Sequence, residues 1–522
     1  MRKEQMRPSD KGASIEGMEQ MHSVIGIDIG TSGTKTVAVD ERGKVLASAT
    51  AGYPLYQDGH GFSEQQPAHW WEAVQQTLQQ VLYTVPREQV QGISFSGQMH
   101  GLVALDAHGN VLRRAILWND QRTQAQCHTL TQRAGGEEVL RAHTHNRMLT
   151  GYTAGKLLWV REHEPEIYAQ IACVLNPKDY IRYCLTGERV TDVSDASGTG
   201  VFDVQHRCFD GPWLSQMGFD PALFPPCVES TEQTGAVSEQ AAACTGLLPG
   251  TPVFGGAGDA VISTTGMGLT GPERIGVVLG TSGVVAVGLN ACVPNPGGKL
   301  QVFCNCAPGL WHAMGVTLSA AGSLQWFHDN FGAEVSQQAQ EQGLSPFALW
   351  DRYAQQSGPG ARGLRFLPYL SGERCPVDDP TATGAFVGLK NIHCPGDFAR
   401  AVMEGVAFSL RDVHTVMQAL PQSVPPSEMV VSGGGSQSRL WRQILADVFG
   451  IPVLLTEASG TGGAYGAALL AGVGCGMFDD LARATRLCEV KEVIQPGADV
   501  PMYEKPFIQY QQLYQSLSWL NQ

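Results

Sequence analysis

Two nine-residue segments constrain this chain more than any other feature: residues 25–33 (IGIDIGTSG) and residues 275–283 (IGVVLGTSG). Six of their nine positions are identical, and they stand about 250 residues apart in a chain of 522. Ile27 and Ile29 exchange with Val277 and Leu279, so each copy keeps the apolar pattern of a buried strand. In both copies that strand runs into Gly-Thr-Ser-Gly, a tight turn, and a second strand follows. A repeat at this distance predicts two similar domains, each opening with a glycine-turn hairpin. The copies differ at one informative position, where Asp28 becomes Val278. Two turns of one shape, only one bearing a carboxylate, predict two phosphate contacts and one metal-organising side.

Composition narrows the classes left open. The net charge is −14, which lacks the basic footprint of a nucleic-acid binder. Hydrophobic residues make up 43% of the chain, enough for a large core. With 62 glycines and only 16% charged residues, the chain reads as a closely packed α/β enzyme. Residues 1–21 are polar, aperiodic and contain eight charges, which fits a disordered leader, or an upstream start with the real start at Met21, and not a secretory signal. The 13 cysteines are an odd number without a framework, consistent with a reducing, cytoplasmic setting. Cys304 and Cys306 lack zinc spacing and further ligands. No apolar run is long enough to span a membrane. The division expected is a leader at 1–21, domains at 22–268 and 269–475, and a helical segment at 476–522.

Between the repeats, strands are expected at 90–95 and 102–105, and helices at 70–83 and 155–171. Beyond the second repeat, helices are expected at 398–420, 439–449 and 462–471, with a strand at 429–432. The chemistry-bearing segments sit between these elements. At the first turn, backbone N–H groups of Gly30, Thr31, Ser32 and Gly33 can cradle phosphate, with Lys35 nearby. The segment fails the P-loop pattern, because Thr34 precedes Lys35. Gly280, Thr281, Ser282 and Gly283 repeat the cradle. Asp259 follows Gly255-Gly256-Ala257-Gly258, where a carboxylate serves as general base, magnesium ligand or cap for a helix starting near Val261. Residues 433–435 are three glycines between a strand and a helix, suited to a nucleotide. They lack the third glycine of a dinucleotide fingerprint. Gln98, Met99 and His100 lie between glycines and offer polar and soft apolar surface together, as a polyol requires. Trp118, Asn119 and Asp120 pair an aromatic face with donors and acceptors.

Taken together these segments resemble the FGGY carbohydrate kinases of the sugar kinase/actin-like ATPase superfamily. The matching stretches run from 25–35 through FSEQQPAHWW (62–71), SGQMHG (96–101), ILWNDQR (116–122), LNPKDYIRYCLTGE (175–188) and FLPYLSGERCP (366–376) to SGGGSQSRLWRQILADV (432–448). The resemblance implies two ribonuclease-H-like α/β domains around a central cleft. It implies ATP and Mg²⁺, with Asp259 as catalytic base and Asp28 organising the metal through water. Gln98, Met99, His100, Trp118, Asn119, Asp120 and Asp259 would contact the sugar. The two glycine turns, Trp326, Gly434, Gly435 and Ser438 would contact ATP. The Gln-Met-His-Gly form at 98–101 points to D-xylulose, phosphorylated on its primary 5-hydroxyl. Ribulose, 1-deoxy-D-xylulose or another polyol is the neighbouring alternative, and a non-enzymatic ATP-binding member is the other. Members of the family that act on D-xylulose often carry Asn where Ala260 follows the catalytic Asp, which bears on the sugar and not on the reaction class. A homodimer is expected at the level of the family; nucleic-acid and membrane partners are not.

Overall fold

The structure is a computed structural model that describes residues 22–421, 423–457 and 462–521. The leader reading of residues 1–21 lies outside the described residues. Strands Ser23–Ile29, Gly33–Asp40 and Val45–Gly52 form an antiparallel meander. Strand Val90–Gly97 joins parallel to the first, and Pro252–Phe254 and Gln233–Ala236 extend the sheet beyond it. The pleat sends alternate side chains to opposite faces. Ile25, Ile27 and Ile29 pack with Trp70, Val74 and Leu78 of helix Pro67–Thr84, while Val24, Val37 and Val39 face the other way.

The second repeat builds the same pattern. Hairpin Arg274–Leu279 and Gly283–Leu289 continues antiparallel into Trp311–Thr317. Strands Glu428–Ser432 and Val453–Thr456 then add parallel on the other side. Meander followed by parallel strands is the ribonuclease-H-like order, present in both halves. Gly30 N–H bonds Gly33 O at 3.1 Å, so the turn closes within Gly30-Thr31-Ser32 and the second strand starts at Gly33.

Two helices lie between the sheets and belong to both halves. Helix Asp259–Gly266 leaves the first half and places Val261 and Ile262 against Ala286 and Val430 of the second sheet. Helix Gly462–Gly474 leaves the second half and places Ala464, Ala467 and Ala468 against Val24 and Val37 of the first. Its small residues are needed there. A methyl group at Gly26 would overlap the Ala464 carbonyl oxygen, and one at Gly466 would meet the Ile262 carbonyl at 2.7 Å. One apolar core therefore spans the two halves.

Three expected elements differ. The helix expected at 155–171 splits into Thr153–His163 and Pro165–Tyr168, because Pro165 disfavours a helical Glu164 and supplies no N–H. The helix expected from Phe398 starts at Pro395 and runs to Gln418, with the Asp397 carboxylate accepting from Cys394 N–H at 2.8 Å. The C-terminal segment contains strand Val490–Ile494, which pairs antiparallel with Val453–Thr456, beside helix Val500–Leu517. No helix among the described residues is long and apolar enough to cross a membrane.

Candidate active site

The first glycine turn is held from behind by a polar network. Tyr53 OH donates to Gly30 O at 2.5 Å, and Gln65 Nε2 donates to Thr31 O at 2.6 Å. Gln98 Nε2 donates to Gln65 Oε1 at 2.9 Å, and Thr31 Oγ1 donates to Gln98 Oε1 at 3.3 Å. Gln98 is thus fully buried and supports the turn, and does not line the sugar-sized cavity in front of it. Gln65 carries this network without having been singled out in the sequence. Its only signal is its place in the Gln-Gln-Pro entry to a helix.

Asp28 is the next-to-last residue of the first strand, level with Ser96 on the parallel neighbour. Ser96 Oγ donates to Asp28 Oδ1 at 2.6 Å. Burial raises the Asp28 carboxyl above its ordinary value, against the pull of Ser96 and Lys35. Asp259 is the first residue of its helix, one place inside the Gly258 cap position, and so two residues before the start expected at Val261. Its Oδ1 accepts the Ala260 N–H at 2.7 Å. Burial, then the negative charge of Asp28, pushes Asp259 up to about 7, with the N–H groups of Ala260 and Met99 acting the other way. A carboxyl poised there can accept a proton at neutral pH.

Asp259 opens into a cavity of about 390 Å³ between the halves. The first half contributes Met99, His100, Trp118, Asn119, Gln121 and Tyr152 to its walls, and the second half contributes Ser282, Gln301, Met314 and Arg374. His100, at φ 70°, shares a 2.7 Å hydrogen bond between Nδ1 and Gly198 O. Burial and then the charge of Lys156 hold His100 down to about 3. It is therefore neutral, with Nδ1–H donating to the carbonyl and Nε2 left as an acceptor. Trp118 is 45% exposed and offers its ring to the cavity. The buried Asn119 Oδ1 has no hydrogen-bond partner among the described residues, which suits a ligand hydroxyl. Asp120 takes no part in the lining. It is fully buried, accepting from Ser63 N–H at 2.7 Å and from Arg122 at 2.8 and 2.9 Å, and so fixes the loop that presents Trp118 and Asn119.

The second turn leaves Thr281 and Ser282 exposed. Ala320 N–H and Ala321 N–H bond Thr281 O and Gly280 O, both at 2.8 Å, and Gly283 starts the next strand. Gly434 has open space around it, Gly435 approaches the Leu279 side chain, and Ser438 Oγ caps helix Arg439–Phe449 through Trp441 N–H at 3.0 Å. Trp326 is half-buried and stacks on Phe366. The residues placed on one cavity are Met99, His100, Trp118, Asn119, Asp259 and Ser282; Gly434, Gly435, Ser438 and Trp326 lie elsewhere in the second half. Tyr152, Gln301 and Arg374 were missed in the sequence, where no repeat or glycine turn marks them.

A cleft between two ribonuclease-H-like halves, with a carboxyl near neutrality in its wall, defines a phosphotransferase of the sugar kinase type. The chain belongs to the FGGY family of carbohydrate kinases: the family's N-terminal domain matches residues 23–266 and its C-terminal domain residues 276–475. It is an ATP-dependent sugar kinase. It is 37% identical to the xylulose kinase of Bacillus subtilis, over 96% of this chain and 98% of that one. The Escherichia coli xylulose kinase is also 37% identical, over 94% and 99%. A crystal structure of a xyloylose kinase from Brucella ovis superposes with a TM-score of 0.87 at 35% identity, covering 96% of this chain and all of the other. The gluconokinase of Bacillus subtilis is 31% identical over 83% of this chain and 84% of its own.

Proposed function

We propose that this protein transfers the terminal phosphoryl group of ATP to the 5-hydroxyl of D-xylulose, with Asp259 as general base. The observation that carries this reading is Asp259 itself: a carboxyl raised to about 7, at the head of a cavity lined by Met99, His100, Trp118 and Asn119. As the O5–P bond forms and ADP leaves, the O5 proton passes to Asp259. Met99 and Trp118 give the sugar apolar faces, while Asn119 Oδ1 and His100 Nε2 accept from its hydroxyls. Gln98 and Asp120 act behind that surface, holding the first turn and the Trp118 loop. The relatives named xylulose kinase support this sugar. Ala260 also lines the cavity, and its small side chain leaves room beside the base.

ATP lies on the second half in this reading. Its phosphates meet Gly280, Thr281, Ser282 and Gly283, and its terminal phosphate meets Gly30, Thr31, Ser32 and Gly33. Gly434, Gly435, Ser438 and Trp326 belong to the adenosine side. The residues present fit Mg²⁺, because the charge of Asp28 bears on Asp259 and a divalent cation relieves two neighbouring carboxyls. When bound at Asp28, the ion neutralises phosphate charge. Residues 22–268 then form the sugar side and 269–475 the ATP side, with 476–522 completing the latter.

The test is ADP release with magnesium-ATP across D-xylulose, L-xylulose, D-ribulose, L-ribulose, 1-deoxy-D-xylulose, glycerol and gluconate. Preference for D-xylulose is expected, with slow hydrolysis when no sugar is present, since cleft closure on sugar completes the site. Preference for another sugar would replace D-xylulose and leave the kinase intact.

A further inference from the structure

Arg374 enters the sugar cavity from the half opposite to His100 and Asp259. Its loop is fixed while its side chain is not. The buried Glu373 carboxylate accepts Leu318 N–H at 3.0 Å and Arg374 N–H at 2.7 Å, and also takes the Thr317 hydroxyl. Cys375 N–H bonds Val316 O at 3.1 Å. These contacts anchor residues 373–375 to the end of strand Trp311–Thr317, whose Met314 and Val316 share the cavity wall. The Arg374 guanidinium itself forms no hydrogen bond or ion pair with the described residues. A rigid loop thus presents an exposed arginine to a ligand cavity, with its donors unused.

Its place along the cavity is also informative. The Arg374 charge acts on His100 and on Tyr152, lowering the proton affinity of both. The charge that acts on Asp259 is that of Asp28. The strand that anchors the Arg374 loop pairs Met314 with Gln301, whose amide reaches Tyr152, and the Tyr152 ring lies 4.8 Å from that of His100, so one continuous wall joins the Arg374 loop to the His100–Tyr152 end. Tyr152 OH is already engaged there by Gln301 Nε2 at 3.2 Å. A guanidinium has five donors and no acceptor, so its best partner is an oxygen that only accepts. An open-chain 2-ketose phosphorylated at C5 carries one such oxygen, the C2 carbonyl, three carbon–carbon bonds from the reacting end. A hydroxyl at C2 would waste its own proton against an arginine.

We propose that Arg374 binds the carbonyl oxygen of the ketose and so sets the preference for a ketose over the corresponding polyol. This rests on the sugar assignment above and adds to it the group that reads the unreactive end. Because Arg374 comes from the second half, the ketose bridges the halves through its carbonyl at one end and Asp259 at the other.

The experiment compares the wild type with Arg374→Met and Arg374→Lys on D-xylulose and on xylitol, which has a hydroxyl in place of the carbonyl. Affinity for each sugar is read by calorimetry without ATP, and kcat, KM for sugar and KM for ATP by ADP release. Arg374→Met is expected to weaken D-xylulose roughly 10- to 100-fold, the scale of a hydrogen bond to a charged group. Xylitol should change less than about threefold on the same scale, with KM for ATP unmoved. Arg374→Lys should recover part of the ketose preference, since it keeps the charge and loses the planar fork. Equal losses on both sugars, unchanged D-xylulose affinity, or a raised KM for ATP alone would each overturn the proposal. Loss of folding in Arg374→Met would also overturn it, because the side chain would then be holding the structure. A wild type that ignores D-xylulose but phosphorylates another sugar refutes the substrate reading first, a result the variants are not needed to see.

Discussion

The indole N–H of Trp118 donates to the Thr31 hydroxyl at 2.9 Å, joining the proposed sugar wall to the proposed phosphate turn. Thr31 in turn donates to Gln98 at 3.3 Å, so the two functions share one hydrogen-bonded unit. Removing either end should disturb both substrates. Thr31→Val and Trp118→Phe are each expected to lower kcat/KM for sugar and for ATP. The double variant should show a coupling of about 1 kcal/mol, the worth of one such bond. Strict additivity in the four-enzyme cycle would show that the bond carries nothing.

The raised Asp259 sets a pH dependence. In the proposed mechanism Asp259 must be ionised to accept the O5 proton, so kcat/KM should rise with pH and level off above about 7. Asp259→Asn should lose turnover by roughly 10²- to 10⁴-fold and lose that acid limb, while still binding ATP. A variant retaining more than about a tenth of wild-type turnover would remove Asp259 from the chemistry.

The same shift has a stability consequence of opposite sense. The folded-state value lies above the ordinary 3.8, so the folded protein holds the proton more tightly than the unfolded chain. Stability from this group is therefore present at low pH and is lost as pH rises from about 4 through about 7. Asp259→Asn should raise Tm relative to wild type at pH 8, and the gain should shrink as pH is lowered toward 4. A gain that grew with acidity would reverse the assignment.

Behind the sugar wall, Lys178 is fully buried and bonds Asp179 at 2.6 Å and Asp192 at 2.7 Å, with Asp195 at 3.5 Å. Burial holds the Asp195 carboxyl well above its ordinary value, against the pull of Lys178, and neither of its oxygens has a hydrogen-bond partner among the described residues. The two kinds of substitution should therefore differ. Lys178→Met leaves Asp192 without its cation, Asp179 keeping only Arg182 at 3.0 Å, and should cost about 3–5 kcal/mol. Asp195→Asn removes the carboxylate that stands farthest from Lys178 and should cost less. Urea melts of the two variants check the contrast, and equal losses would show that Asp195 matters as much to the cluster as Lys178.

Packing at the shared helix gives the simplest test. A methyl group at Gly26 meets the backbone of Ala464, which has no side-chain freedom to yield. Gly26→Ala should cost about 3 kcal/mol in a urea melt, whereas a change below about 1 kcal/mol would mean that the two halves slide apart without penalty.

Much of this architecture was legible because its signals are local. The two hairpins follow from strand alternation ending in Gly-Thr-Ser-Gly, and Asp28 and Asp259 follow from carboxylates set beside glycine turns. The direction of side chains was not legible. Gln98 and Asp120 sit next to Met99 and Asn119 in sequence, yet both turn inward, because Gln98 N–H bonds Ile29 O and Asp120 is taken by Arg122. Pro165 breaks a helix whose apolar pattern runs on, a case of backbone chemistry overriding periodicity. The alanines and glycines of helix Gly462–Gly474 announce close packing but not the sheet they pack on. Arg374 and Tyr152 meet only because the two halves face each other, which no short segment encodes.

The helix Gly462–Gly474 covers the face of the first sheet that carries Val24, Val37 and Val39. During synthesis those strands leave the ribosome long before the helix that covers them. The nascent first half must then wait with an open apolar sheet face, and a fragment ending after Gly266 would keep that face permanently bare. Such a fragment is a substrate for chaperones and a seed for aggregation, not a miniature of half the enzyme.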